Sequence, residues 1–331
     1  MGSLAGRTFL ALLLAACLPV AAAAGSSTYS TPEECVSIAD NAARLQCYDE
    51  EMGRTIDEDE GFGPLDSRWE LSRNAKRGLF RFRPYKPVYL APYSWTSDRN
   101  PTPRTPNQGA AAPAPQELDR IEAKFQVSTK FKLAENIFGK NGDLWGAYTQ
   151  ASRWQVYNTA NSRPFRETNY EPELIFALRT KYRIFGWKGR LAGIGLNHQS
   201  NGRGDPLSRS WNRIIGIVGL ERDDWVLVVR PWRRIDESAA EDDNPDIADF
   251  LGRGDLTVTR LWGGHQFTLM GRHSLHGGRR SHGAVQFEWA FPIRDPLRGR
   301  VQLFHGYGES LIDYNHKATW VTVGFSLVEW Y

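Results

Sequence analysis

From Leu118 to its end the chain alternates. The clearest stretch is Lys124–Leu133, where Phe125, Val127, Thr129, Phe131 and Leu133 take the odd positions and Lys124, Gln126, Ser128, Lys130 and Lys132 the even ones. Successive side chains of a strand point to opposite faces, so this segment predicts a strand with one apolar and one charged face. The same texture, broken by Gly, Asp, Asn and Arg clusters, predicts strands at 88–97, 120–133, 144–157, 169–182, 186–199, 209–221, 225–235, 250–259, 262–271, 282–292, 299–309 and 318–331. No segment offers a long helix. Twelve strands of this length and pattern suit a barrel whose apolar face meets lipid and whose polar face lines the lumen, and closure removes the open edges that a membrane cannot tolerate. The expected fold is all-β, a twelve-stranded antiparallel transmembrane β-barrel. A secreted β-sandwich or lipocalin-like barrel would alternate too, but would usually be shorter or divided into domains. In the last strand Val321, Val323, Phe325, Leu327 and Tyr331 share one parity, with Glu329 as the exception.

The segment ahead of the strands is different. Residues 1–24 read as a secretory signal: Arg7, an apolar run from Thr8 to Val20, then small residues before Gly25. Leu14-Ala15-Ala16-Cys17 also resembles a box cut ahead of a lipidated cysteine, although Cys17 reads more simply as one apolar residue of the signal. Residues 25–78 form a charged, partly helical N-terminal segment, expected in the periplasm, and 79–331 the barrel. Export into an oxidising compartment makes a disulfide between Cys35 and Cys47 the default. One straight helix would hold the two sulfurs about 18 Å apart, so the bond requires a turn between them. Asp98–Gln116 is rich in proline and reads as a long loop.

Composition changes this picture little. The 331 residues carry a formal charge of +3 and a mean hydropathy of −0.49. The first gives no reason to expect nucleic acid as a partner. The second argues against a bundle of membrane helices but not against a barrel with a wet lumen.

Candidate chemistry sits where the alternation carries polar residues onto the lipid face. In Leu191–Ser200, Ala192, Ile194 and Leu196 share a face with His198 and Ser200; in the next strand Asn212 shares a face with Ile214, Gly216 and Val218. Unpaired polar groups on a hydrocarbon face are costly, and a Ser-His-Asn array would pair them. Ser200 would be the nucleophile, His198 the general base and Asn212 the group that orients the imidazole. Polar residues at a barrel rim facing the lipid headgroups would explain the same pattern. The loop Asn201–Ser210 offers carbonyls, serine hydroxyls and Asp205, all hard oxygen ligands suited to calcium, and Glu241–Asp246 forms a second acidic run. A solvated turn is the plainer reading of either loop alone.

At these residues the chain resembles the bacterial outer membrane phospholipase A family. Four blocks carry the likeness in order: Pro164–Pro172; Asn197–Arg203 with Asp205-Pro206 and Ser208–Arg213; Asp242–Asp246; and Gly306–Asn315. They cover roughly 79–331, leaving 25–70 unmatched. The resemblance implies calcium-dependent hydrolysis of phospholipid acyl esters, with A1, A2 and lysophospholipase activity, by a dimer in the bacterial outer membrane. It assigns Ser200, His198 and Asn212 to the triad. It assigns Ser208 and the Arg203 carbonyl to a catalytic Ca2+, Ser162 to the neighbouring subunit's calcium site, Asp205 and Asp243 to a second calcium position, and Gln150 to the dimer interface. The competing expectations are a non-catalytic pore or structural barrel, and an adhesin reading partners with its loops. A lumen too narrow to conduct would count against the first.

Overall fold

The computed structural model describes residues 33–38, 44–45, 47–48, 63–107 and 113–331. The proposed signal residues 1–24, Cys17 included, lie outside them. The chain divides into two compact units, Met1–Glu60 and Gly61–Tyr331.

In the first unit a 3-10 turn, Glu34–Ser37, stops where Ile38 adopts extended geometry with ψ of 115°. That break removes the straight-helix objection, and Cys35 and Cys47 are disulfide-bonded with Cα atoms 5.6 Å apart.

The second unit is a closed antiparallel barrel. Its strands are β1 (Phe82–Pro84), β2 (Val88–Thr96), β3 (Ile121–Ala134), β4 (Asp143–Trp154), β5 (Phe165–Ile184), β6 (Trp187–Ser200), β7 (Ser210–Arg222), β8 (Trp225–Ile235), β9 (Gly254–Trp262), β10 (His265–His273), β11 (Gly283–Arg294), β12 (Leu297–Tyr307) and β13 (Lys317–Val328). Each pairs with its sequence neighbour from β2 onward, and β13 pairs with β2 to close the ring. The short β1 pairs with β3 further along the same edge that β2 occupies, so twelve staves make the barrel. Among the described residues the unit also has two short α-helices, α1 (Pro64–Trp69) and α2 (Ile247–Leu251), and a 3-10 turn, Gly278–Arg280. Among the described residues no helix is long and apolar enough to cross a membrane.

The faces are sorted as a lipid-facing barrel requires. Val127, Leu174, Ile194, Leu196, Val323, Phe325 and Leu327 are exposed outward, whereas Lys124, Ser128, Lys130 and Lys132 are buried in the lumen. Those buried charges are matched: Lys132 meets Glu70 at 3.1 Å and Asp143 at 2.9 Å, and Arg300 meets Glu288 and Glu329 at 2.7 Å each. Lys130 Nζ instead lies 3.4 Å from the centroid of the Trp69 ring, a cation–π contact. With Trp145, Trp211 and Trp232 also buried inside, the lumen is packed around small cavities, one of about 210 Å³ beside Arg213 and Glu309 and one of about 40 Å³ beside Trp69 and Tyr331.

Two expectations are corrected. The domain boundary between residues 78 and 79 falls inside this unit, which begins at Gly61. Residues 63–78 pack into the barrel mouth because they carry partners for lumen groups: Leu65 N donates to Glu221, Lys76 Nζ lies 2.7 Å from Asp143, and Glu70 holds Arg83 and Lys132. The alternation expected through Tyr331 stops with β13 at Val328. Beyond it Glu329 turns inward to Arg300, and Tyr331 packs against the buried cluster instead of facing lipid.

The end of the barrel that receives residues 63–78 carries two-residue turns and the eight-residue connection 135–142; the described parts of the β2–β3 connection, 97–107 and 113–120, and the loops 155–164, 201–209, 236–253, 274–282 and 308–316 share the opposite rim. The loop 308–316 folds down over that rim. Leu311 N donates to Asn169 at 3.1 Å, Ile312 N to Glu167 at 3.0 Å, and Leu311, Ile312 and Tyr314 are buried.

Candidate active site

The site forms where β6 reaches this rim. His198 lies directly opposite Asn212 across the β6–β7 pair, and Ser200 lies opposite Ser210 and Tyr170. The hairpin register therefore brings together residues fourteen apart in sequence. His198 Nδ1 and Asn212 Oδ1 are 2.8 Å apart. Since Oδ1 can only accept, Nδ1 carries the proton, and the lone pair of the neutral ring is on Nε2, where a base needs it. Asn212 is held in this orientation by its other end: Nδ2 donates to Glu237 Oε1 at 2.7 Å. Ser200 follows His198 by two residues on the same outward face, roughly 6.5–7 Å away at Cα. Among the described residues no hydrogen bond links Ser200 Oγ to His198, a contact that in serine hydrolases often tightens only with substrate bound. Ile194 and Leu196, both more than half exposed, continue the face toward the barrel's middle.

The loop after Ser200 is organised from within. Asn201 is buried; its Oδ1 accepts from the Arg209 and Arg203 amides at 3.0 and 3.3 Å, and its Nδ2 donates to the Leu207 carbonyl at 2.8 Å. Gly202 takes φ of 64°, and a Cβ there would stand 3.0 Å from the Tyr170 ring, so this sharp exit from β6 requires glycine. The acidic loop is pinned to the same place: Asn244 accepts from Ser210 N and donates to Ser210 O, each at 2.9 Å.

That pinning brings two of the expected calcium ligands into contact. Asp243 Oδ2 accepts from Ser208 Oγ at 2.7 Å and from Ser210 Oγ at 3.1 Å. The donor set is oxygen only and carries a carboxylate, which fits a hard divalent cation. Asp205 is exposed in the same loop. The Arg203 guanidinium is tied to the Phe165 and Arg166 carbonyls at 3.3 and 2.8 Å, so only its main-chain oxygen is suited to a cation. Ser162 is exposed in the β4–β5 loop on the same rim, with φ of 57°. Among the described residues no group of three or more His, Cys, Asp or Glu side chains is gathered as a metal centre. Gln150 lies on the outer wall of β4, where Tyr148 Oη donates to its Oε1 at 3.1 Å.

Sequence reasoning missed Asn201, Asn244 and Glu237. The two asparagines stood in plain view inside recognised motifs, but their hydrogen bonds are set by loop geometry. Glu237 lies past the end of β8, in a stretch without a period.

Residues 65–327 match the family model for phospholipase A1. The chain belongs to the phospholipase A1 family. Escherichia coli K12 phospholipase A1 is 39% identical over 248 residues, which cover 75% of this chain and 82% of the relative. A Neisseria meningitidis relative is 34% identical over 374 residues and covers 96% of this chain and 95% of its own. The solved outer membrane phospholipase A of E. coli superposes with a TM-score of 0.69 at 38% identity, covering 77% of this chain and 95% of that one. The Salmonella typhi outer membrane phospholipase, solved as a dimer with bound calcium, gives 0.68 at 38% identity over 76% and 94%. The protein is thus an outer membrane β-barrel enzyme that hydrolyses phospholipids, and the packed lumen is of no use to a pore.

Proposed function

We propose that Ser200, His198 and Asn212 are the catalytic triad of a calcium-dependent phospholipase that is active as a homodimer and that cleaves A1, A2 and lysophospholipid esters. The observation that carries this reading is the 2.8 Å pairing of His198 Nδ1 with Asn212 on the lipid-facing wall. It leaves Nε2 free to take the Ser200 proton as Oγ attacks the acyl carbonyl. The same nitrogen returns the proton to the departing alcohol oxygen of the lysolipid, and a water then releases the fatty acid from the acyl-serine by the reverse use of the base. A lipid-facing site suits a substrate that surrounds the protein, since acyl chains need not leave hydrocarbon to reach it.

Ser208, the Arg203 carbonyl and Ser162 of a second copy would hold the catalytic Ca2+, and Asp205 and Asp243 would hold another. A bound Ca2+ supplies the positive charge that a neutral Asn cannot offer to the oxyanion. Calcium takes about six to eight oxygens, more than one copy's Ser208 and Arg203 provide. The dimer with calcium described for the Salmonella relative supports extending both features to this chain. The reading also puts the longer-loop rim outside the cell and residues 25–78 on the periplasmic side.

The test is ester release from mixed phospholipid–detergent micelles, with calcium and with chelator. Ser200→Ala should lose on the order of 10⁴-fold or more in rate while keeping the heat-modifiable gel mobility of a folded barrel. Turnover retained in the purified variant removes Ser200 from the mechanism.

A further inference from the structure

Resting on that reading of the triad, we infer that Glu237 is a fourth, positioning member of the array, a carboxylate that holds and polarises Asn212 from behind. An asparagine can orient an imidazole only if its own amide cannot flip. With Oδ1 toward His198 the ring keeps its proton on Nδ1; with Nδ2 toward His198 the amide would donate, Nδ1 would have to accept, and Nε2 would lose its basic lone pair. Glu237 decides between the two. An ionised carboxylate only accepts, so its 2.7 Å contact with Asn212 is satisfied in one amide orientation alone.

The fold explains how the residue reaches this place. Asn212 pairs with Ile235, the last residue of β8, and Ile235 faces outward. Glu237 continues that parity two residues past the strand's end, which returns its side chain to the face that carries Asn212 and His198. The side chain is 18% exposed. It faces the Arg234 guanidinium, whose Nη2 is 3.9 Å from Oε2, and, on the far side of the Asn212 amide, the titratable His198 imidazole. Arg234 does not need Glu237, because Asp242 takes it at 2.5 Å and the Asn244 and Pro245 carbonyls at 3.2 and 3.1 Å. The strong contact of Glu237 is therefore the one to Asn212.

Two consequences follow for the imidazole. The base tautomer is locked, and a negative charge stands one amide away from the ring as it becomes imidazolium. Ser-His-Asn with Glu237 behind it thus recovers part of what a carboxylate orienter supplies directly.

The experiment uses the full-length enzyme in phospholipid–detergent micelles at saturating calcium. Glu237→Gln keeps an accepting oxygen but admits either amide orientation and removes the charge; Glu237→Ala removes both. We expect kcat to fall about tenfold in the Gln variant and further in the Ala variant, with KM unchanged. The acidic limb of the pH–rate profile should move down by roughly one unit, as loss of a charge several ångströms from His198 dictates. Both effects should vanish in an Asn212→Ala background, because Glu237 acts only through that amide. Three results overturn the assignment: unchanged kcat and pH limb in both variants; losses that multiply with Asn212→Ala; or a raised calcium requirement, which would make Glu237 a prop for the loop that carries Asp243.

Discussion

An amide beside His198 gives the imidazole a geometric partner without a full charge of its own. Asn212 should therefore matter less than the residues that exchange atoms with substrate. In hydrolase triads removal of the orienting residue costs roughly two orders of magnitude less than removal of the nucleophile. We predict the same ordering here: Asn212→Ala retains activity about 100-fold above Ser200→Ala, measured as ester release at saturating calcium. Equal inactivity of the two folded variants would mean that Asn212 does more than aim the ring. The pair His198 and Ser200 was legible in the sequence because their relation is local: two residues on one strand share a face. Asn212 was legible only through parity and family likeness, since its contact depends on the β6–β7 register. Glu237 was not legible, because its place is fixed by three strands and the end of one of them.

At the scale of elements, the loop 308–316 shows how a recognisable block can be structural. Glu309 reaches β3 through Lys124 and β4 through Arg153 at 2.9 Å, and Asp313 reaches β5 through Arg166 at 2.6 Å. Burial opposes ionisation of Glu309, yet Arg153 and Lys124 bring its pKa down to about 2. Burial likewise opposes ionisation of Asp313, and Arg166 with the Ser310 hydroxyl holds it below the ordinary aspartate value. A carboxylate whose pKa is lowered on folding stabilises the fold fully above its unfolded pKa and loses that contribution as pH falls toward the folded one. The closed rim should therefore weaken as pH falls from about 4.5 toward about 2. Thermal unfolding in detergent, followed by gel mobility, should show this slope, and Glu309→Gln should flatten it while lowering stability at neutral pH by roughly 3–5 kcal/mol. Identical slopes in the two proteins would falsify the assignment. The strands themselves were readable within a few residues, because a barrel imposes its inside and outside on every second position. The inward turn of residues 63–78 was not, because their partners Glu221, Asp143 and Lys132 lie on strands distant in sequence and a charged segment reads as solvated until those partners are known.

For the whole molecule, the lipid-facing position of the site raises the question of what keeps one barrel from digesting the membrane around it. On the proposed model a single copy has the triad but too few oxygens for the catalytic cation, because Ser208 and Arg203 belong to one loop and Ser162 serves the neighbouring copy. Association would complete the ion site and create a groove between two apolar walls. Gln150, whose Oε1 already accepts from Tyr148, retains its amide hydrogens to donate across a two-fold axis, a contact worth roughly 0.6–2 kcal/mol in a membrane. On that model so weak a preference would leave dimerisation dependent on concentration and on the state of the bilayer, and association would act as a switch. The model makes a prediction that no single-subunit mechanism shares. Ser200→Ala and Ser162→Ala preparations, each nearly inactive, should regain activity when mixed and cross-linked. In the mixed dimer the Ser162→Ala copy keeps its nucleophile and receives Ser162 from its partner, so one site of two is intact. Activity near half that of the unmodified dimer, corrected for the fraction of heterodimer, is the expected reading. Cross-linked heterodimers that stay inactive, while both parents fold and bind calcium, would show that each copy carries its own complete site.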